Sequence, residues 1–264
     1  MMKQSLLAIF VAISVLMAAS SAHTQYFKFD TADNEQEIKQ EVDAILKFFG
    51  SVVGGGLFHT ADMHSVAGID VGLRGVVANV PEEFKELPVF AQEDFLGLAF
   101  LHGSIGLPAN FELMGRFFYF PLGAGADSDI TPPRSDSRGG VTLIGGGIKY
   151  GLLQLPALPK VMVLGAYHAV FVPDEFDFGT VSTASLKAVA SYSIPILTLY
   201  VGGGVDFTTL KLNDEFLDGE RFDENETQAT IGVKANILPL VHVNGSYNFS
   251  EFDSFDLGIG ISFR

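Results

Sequence analysis

Ten stretches of this sequence alternate apolar and polar residues with a period of two, and together they occupy most of the chain beyond residue 65. They run over 65–77, 94–106, 110–120, 140–153, 160–172, 182–194, 197–210, 227–238, 241–250 and 254–264. Each is close to the length of about 9–11 residues that a tilted strand needs to cross hydrocarbon. The alternation is cleanest late in the chain, where Val241, Val243, Gly245, Tyr247 and Phe249 oppose His242, Asn244, Ser246, Asn248 and Ser250. Two stretches, 94–106 and 160–172, carry apolar residues on both faces.

The connections alternate as well. Short ones contain proline, at 106–111, 154–160, 193–197 and 237–241; long polar ones fall between them, at 79–94, 123–139, 172–180 and 211–227. Charges inside the stretches keep to one face. Asp70, Arg74, Glu112, Arg116, Lys149, Lys187, Asp206, Lys234 and Asp256 all oppose the more apolar side. A lipid-facing charge costs about 2–4 kcal/mol at the bilayer midplane, whereas a lumen tolerates it. A soluble sandwich obeys the same alternation with inside and outside exchanged. Its solvated faces would carry more Lys and Glu than the Gly, Ser, Thr and Asn found here. The expected fold is therefore all-β, an antiparallel transmembrane β-barrel of about 10 strands, with 12 as the alternative. The polar faces, including those nine charges, line its lumen.

The first residues read as an export leader. Lys3, the apolar run Leu6–Leu16 and the small residues Ser20, Ser21 and Ala22 place a signal peptide over 1–22. A second segment, 23–64, holds an amphipathic helix over 35–49, with Ile38, Val42, Ile45, Leu46 and Phe49 on one face and Gly50 placed to end it. The glycine-rich stretch after it reads as flexible, and the whole segment as a periplasmic tether or a plug. Residues 65–264 form the barrel. The formal net charge is −15, and losing Lys3 with the leader makes it one unit more negative. Such a chain lacks the basic stripe that nucleic acid demands. With no cysteine it is neither a lipoprotein nor a disulfide scaffold.

The final stretch, "SFDLGIGISFR", resembles the closing strand of bacterial outer-membrane barrels. These commonly end on an aromatic residue preceded by apolar residues at alternate positions, a pattern matched by Phe263, Ile261, Ile259, Leu257 and Phe255, although Arg264 follows the aromatic. The resemblance implies an assembly signal read by the barrel-assembly machinery, with periplasmic chaperones as partners in biogenesis and outer-membrane lipid and lipopolysaccharide as surroundings. Residues 56–73, "GLFHTADMHSVAGIDVGL", together with the preceding helix, resemble an uncharacterised family of bacterial barrel proteins. That likeness implies the outer membrane of a Gram-negative bacterium and transfers no substrate or catalytic residue.

Chemistry is only weakly signalled. Asp62 and His64 lie two residues apart, and outer-membrane proteases use Asp and His at the rim of a ten-stranded barrel. Here the pair precedes the first stretch on the expected periplasmic side and reads as structural. His59, His102, His168 and His242 are too dispersed for a sequence argument about metal, and the three GGG runs lack the GK[ST] of a phosphate loop. In the acidic loop, Asp214, Glu215, Asp218, Asp223 and Glu224 are candidates for cation binding, without the spacing of an EF-hand. No cofactor is expected, and no enzyme activity. Passage of small or hydrophobic solutes across the outer membrane is the first functional expectation. A structural or surface-binding barrel is the second, and a rim hydrolase a distant third.

Overall fold

The computed structural model describes residues 35–85, 94–121, 140–171, 179–212 and 221–263. The leader, Asp214, Glu215, Asp218 and Arg264 lie outside them. Ten strands close into one barrel: β1 (Ile69–Asn79), β2 (Phe95–Leu107), β3 (Phe111–Pro121), β4 (Gly140–Leu153), β5 (Lys160–Phe171), β6 (Gly179–Ser193), β7 (Leu197–Leu212), β8 (Arg221–Asn236), β9 (Val241–Phe249) and β10 (Ser254–Phe263). Every strand pairs antiparallel with its sequence neighbours. β1 closes on β10 from Ile69↔Phe263 to Ala78↔Ser254 in unbroken register, so no sheet edge is left to pair elsewhere.

The period of two becomes the two sides of this wall. Outward residues include Leu73, Leu101, Leu113, Ile144, Leu186, Leu199, Ile231 and Leu257, the last 70% exposed. Exposed aromatics flank them at both ends. Phe95, Tyr119, Phe171, Phe249 and Phe255 ring the end with long connections, and Phe111, Tyr150, Tyr192 and Phe263 the end with short turns. Tyr119 and Phe111, like Phe255 and Phe263, are eight residues apart, about 27 Å along a strand. At the usual tilt this is a band about 20 Å tall, close to the apolar belt of a membrane barrel.

Several boundaries differ from the periodicity. β1 begins at Ile69 rather than 65, because Gly68 N bonds Ser65 O at 2.8 Å in a turn that puts Ala67 at positive φ. β8 begins at Arg221 rather than 227, so Asp223 and Glu224 belong to a strand and not to a loop. Its start is held across the ladder, where the Thr209 hydroxyl and the Arg221 guanidinium both donate to Asp223, at 2.6 and 2.8–2.9 Å.

The helix, α1 (Glu35–Gly54), lies inside the barrel and runs five residues past its expected end. Gly50 does not stop it. Gly50 and Gly54, one turn apart, face the wall, and a Cβ would stand 2.9 Å from Thr208 Oγ1 at the first and 2.3 Å from the Asp206 carboxylate at the second. Here glycine permits close approach rather than termination. The opposite faces of α1 bury Val42, Ile45, Leu46, Phe49, Val52 and Val53 against inward Val76, Leu96, Leu98, Phe100, Val141 and Leu143. Each such side chain contributes roughly 1.5–3 kcal/mol on burial. The half of the lumen beneath the long connections is thus a hydrophobic core.

Candidate functional site

The lumen is where this chain departs from a plain barrel. α1 enters from the long-connection end: Lys47 pairs with Glu251 at 2.9 Å and Phe48 packs edge-on to Phe252 at 5.5 Å, both partners on the β9–β10 connection. Phe252 in turn stacks on Phe84 of the β1–β2 connection. Burial alone would lower the Lys47 pKa, but the hydrogen bond to Glu251 and the charges of Glu251, Glu224 and Glu226 outweigh it and hold it above the ordinary lysine value. Deeper in, Ser51 Oγ meets Ser250 Oγ at 3.1 Å. The helix end is satisfied by the wall, since Arg116 donates through Nη1 to Val53 O at 2.7 Å and through Nη2 to Gly55 O at 2.9 Å. Gly56, at φ +59°, then turns the chain, and its N–H donates to Asp256 Oδ2 at 2.9 Å.

From there residues 57–64 continue to the short-turn end, with contacts to the wall along the way. Phe58 packs on Tyr200. His59 Nδ1 accepts from Arg74 at 2.5 Å, and Ala61 N–H donates to Ser191 Oγ at 2.9 Å. Asp62 pairs with Lys160. Met63 N–H donates to Gln154 Oε1, and His64 meets Glu112 Oε2 at 2.8 Å. Among the described residues, 35–64 therefore run through the lumen from its long-connection end to its short-turn end.

All nine charges expected in the lumen are buried there. Asp70 faces Arg74 at 3.8 Å, Glu112 holds Lys149 at 2.7 Å and Asp206 holds Lys187 at 2.5 Å. Asp256 accepts from Ser246, Asn248 and Gly56. Lys234 lies at the short-turn end, beside a cavity of about 560 Å³ that also touches Asn236 and Ser262. These pairs neutralise one another locally, which is the condition for keeping ions out of water. Phe255, Leu257, Ile259, Ile261 and Phe263 project outward together from β10.

Asp62 and His64 do not act as a pair. Each is engaged with a separate wall residue, and Glu112, which binds His64, also holds Lys149. Asp223 is committed to Arg221 and Thr209. Sequence reasoning missed that two of the dispersed histidines meet: the rings of His59 and His242 stack at 4.8 Å and 11°, beside Asp70. The signal available was that His242 and Asp70 both occupy inward positions of their strands. Only the path of the plug brings His59 to them.

Residues 89–263 match the family model DUF6588, described as a family of unknown function. None of the curated proteins matches the sequence. Among solved structures the chain is similar to the outer-membrane protease OmpT of Escherichia coli, at 12% identity and TM-score 0.37 over 80% of this chain and all of that one. It is also similar to the N-terminal β-barrel domain of Pseudomonas aeruginosa OprF, at 14% identity and TM-score 0.33 over 76% of this chain and 98% of that one. A third is Ail, the attachment invasion locus protein of Yersinia pestis, at 14% identity and TM-score 0.33 over 75% of this chain and all of that one.

Proposed function

We propose a role for this chain, which belongs to DUF6588, a family of unknown function, from the geometry of its own lumen: it is a non-conducting outer-membrane barrel that serves as a rigid surface scaffold. One observation carries this reading. α1 and the segment after it run through the barrel from end to end with buried apolar side chains and with polar contacts to the wall. A solute pathway would require that filling to leave, stranding Asp256 without the Gly56 N–H and Arg116 without two carbonyl acceptors.

The outward apolar band between two aromatic rings supports lipid as the surroundings. The short turns, with the start of β1 and the finish of β10, then face the periplasm, and the long connections face outside. On this orientation α1 starts at the outer mouth, where Gln40 is exposed. The scaffold accordingly offers its long connections and the outer turn of α1 as its surface, and no step of catalysis is assigned to it.

Conductance in a planar bilayer tests the reading with the full-length protein. Silent insertion, verified by heat-modifiable gel mobility of the same sample, is the expected result. A stable ion conductance in the full chain would overturn the scaffold reading in favour of passage of small or hydrophobic solutes.

A further inference from the structure

The meeting of His59, Asp70 and His242 brings together residues from the plug, β1 and β9, and all three are buried. Their donor atoms lie within 4.8 Å of one another. Asp70 Oδ2 is 3.5 Å from His242 Nε2 and 4.0 Å from His59 Nε2. Both of these imidazole nitrogens, and Asp70 Oδ1, make no hydrogen bond among the described residues. Three buried polar atoms left without partners around one point are unusual, because each unmet group costs about 1–3 kcal/mol.

We infer that this cluster is a binding site for a divalent transition-metal ion of the zinc type, which pins the plug to the wall. Two imidazoles and a carboxylate are the donors such an ion takes. At about 2.1 Å from each ligand, a tetrahedral ion sets its donors about 3.4 Å apart. The 3.5 Å separation already matches, the 4.0 Å separation needs a small contraction, and the third, within 4.8 Å, closes by up to about 1.4 Å around an ion. Ser262 orients two of the ligands, since its hydroxyl donates to Asp70 Oδ2 and lies 3.3 Å from His242 Nδ1. Ser262 also borders the cavity of about 560 Å³ at the short-turn end, which gives an ion a route in.

Arg74 is the built-in competitor. Its guanidinium donates to His59 Nδ1, which leaves the ring proton on Nε2, the nitrogen a metal would need. Metal binding moves that proton to Nδ1 and releases this contact, while Arg74 keeps its 2.7 Å bond to Asn244. Arg74 and Lys234 are the cations nearest the cluster, and both weaken it for a second cation. The site is therefore one of moderate affinity that Arg74 holds closed in the absence of metal. The inference goes beyond the scaffold reading, because a conducting or a silent bilayer leaves the metal titration unchanged.

The test is titration of the full-length, detergent-purified, chelator-treated protein with Co²⁺ and with Zn²⁺, read by the visible absorption of Co²⁺ and by calorimetry. The expected result is one ion per chain, with affinity falling in His59→Gln and in His242→Gln by at least the roughly 10–100-fold that loss of an outer-shell partner costs. Arg74→Met is expected to bind more tightly. Heat-modifiable mobility identifies which variants retain the barrel. Absence of uptake by the wild-type protein from excess metal overturns the site regardless of how the variants fold. Uptake unchanged in a folded His59→Gln/His242→Gln double variant would also overturn it. Affinity unchanged or weakened in a folded Arg74→Met would overturn the competing role of Arg74.

Discussion

Gly54 lies against Asp206 so closely that a Cβ on the glycine would stand 2.3 Å from the carboxylate atoms. Asp206 cannot swing away freely, since Lys187 holds its Oδ2 at 2.5 Å. Gly54→Ala is therefore expected to lift the end of α1 off the wall at a cost of about 1–3 kcal/mol. The barrel itself should still close. The measurement is proteolysis of α1 in detergent, with faster cleavage of the variant and unchanged heat-modifiable mobility as the outcome.

Arg116 makes the complementary case from the wall side. Arg116→Met keeps much of the side-chain volume but removes the donors to Val53 O and Gly55 O and the cation over the Phe100 ring at 4.2 Å. A loss of about 1–3 kcal/mol is expected for each buried carbonyl left without its donor. A thermal unfolding midpoint equal to that of the wild type would contradict this account of the helix end.

Because the chain has no cysteine, engineered pairs can be read without background. Ser51 and Ser250 bring their hydroxyl oxygens within 3.1 Å of each other, so their side chains point at one another across the plug and the wall. Ser51→Cys/Ser250→Cys is expected to oxidise nearly completely in the folded protein and to tie α1 to the β9–β10 connection. Free thiols persisting under oxidant would mean that the plug does not rest where the structure has it.

Gln40→Cys reports on orientation. With the long connections outside, a membrane-impermeant maleimide should label it on intact cells. Labelling confined to cells with a permeabilised outer membrane would reverse the proposed orientation.

The clamp between Lys47 and Glu251 gives a pH dependence of known sign. A lysine whose pKa is raised on folding contributes stability that is present below its unfolded value, near about 10.4, and lost as pH rises through the folded one. The pair is partly exposed, so the contribution is small, about 0.2–1 kcal/mol. Wild type and Lys47→Met should differ slightly in thermal midpoint at neutral pH and converge at strongly alkaline pH. A difference that grows with pH would contradict the assignment.

The barrel was legible because one face of each strand is apolar and turned outward while the other lines the lumen, a constraint that repeats along ten segments. The nine inward charges followed from the same alternation. What periodicity could not separate was the plug from the wall. The strands at 94–106 and 160–172 looked irregular because their inward faces are apolar too. The structure gives the reason: Leu96, Leu98, Phe100 and Val170 pack in the core around α1, and Met162 and Leu164 pack around Leu57 and Phe58. Apolar residues on both faces were the footprint of a filled lumen. Gly50 was misread because a glycine that ends a helix and one that lets a helix approach a wall look alike in sequence. The start of β8 was missed because Asp223 and Glu224 are loop-like residues held in strand by the Thr209 and Arg221 contacts.

Only the turn at residues 65–68 separates the last plug contact, His64 with Glu112, from the first residue of β1. A plug on so short a leash never dilutes into the bulk. Its effective concentration at the lumen stays high, of the order of millimolar for short linkers. Any departure from the barrel would thus be a brief excursion followed by recapture, and a lasting open state would require a second molecule to hold the released segment away.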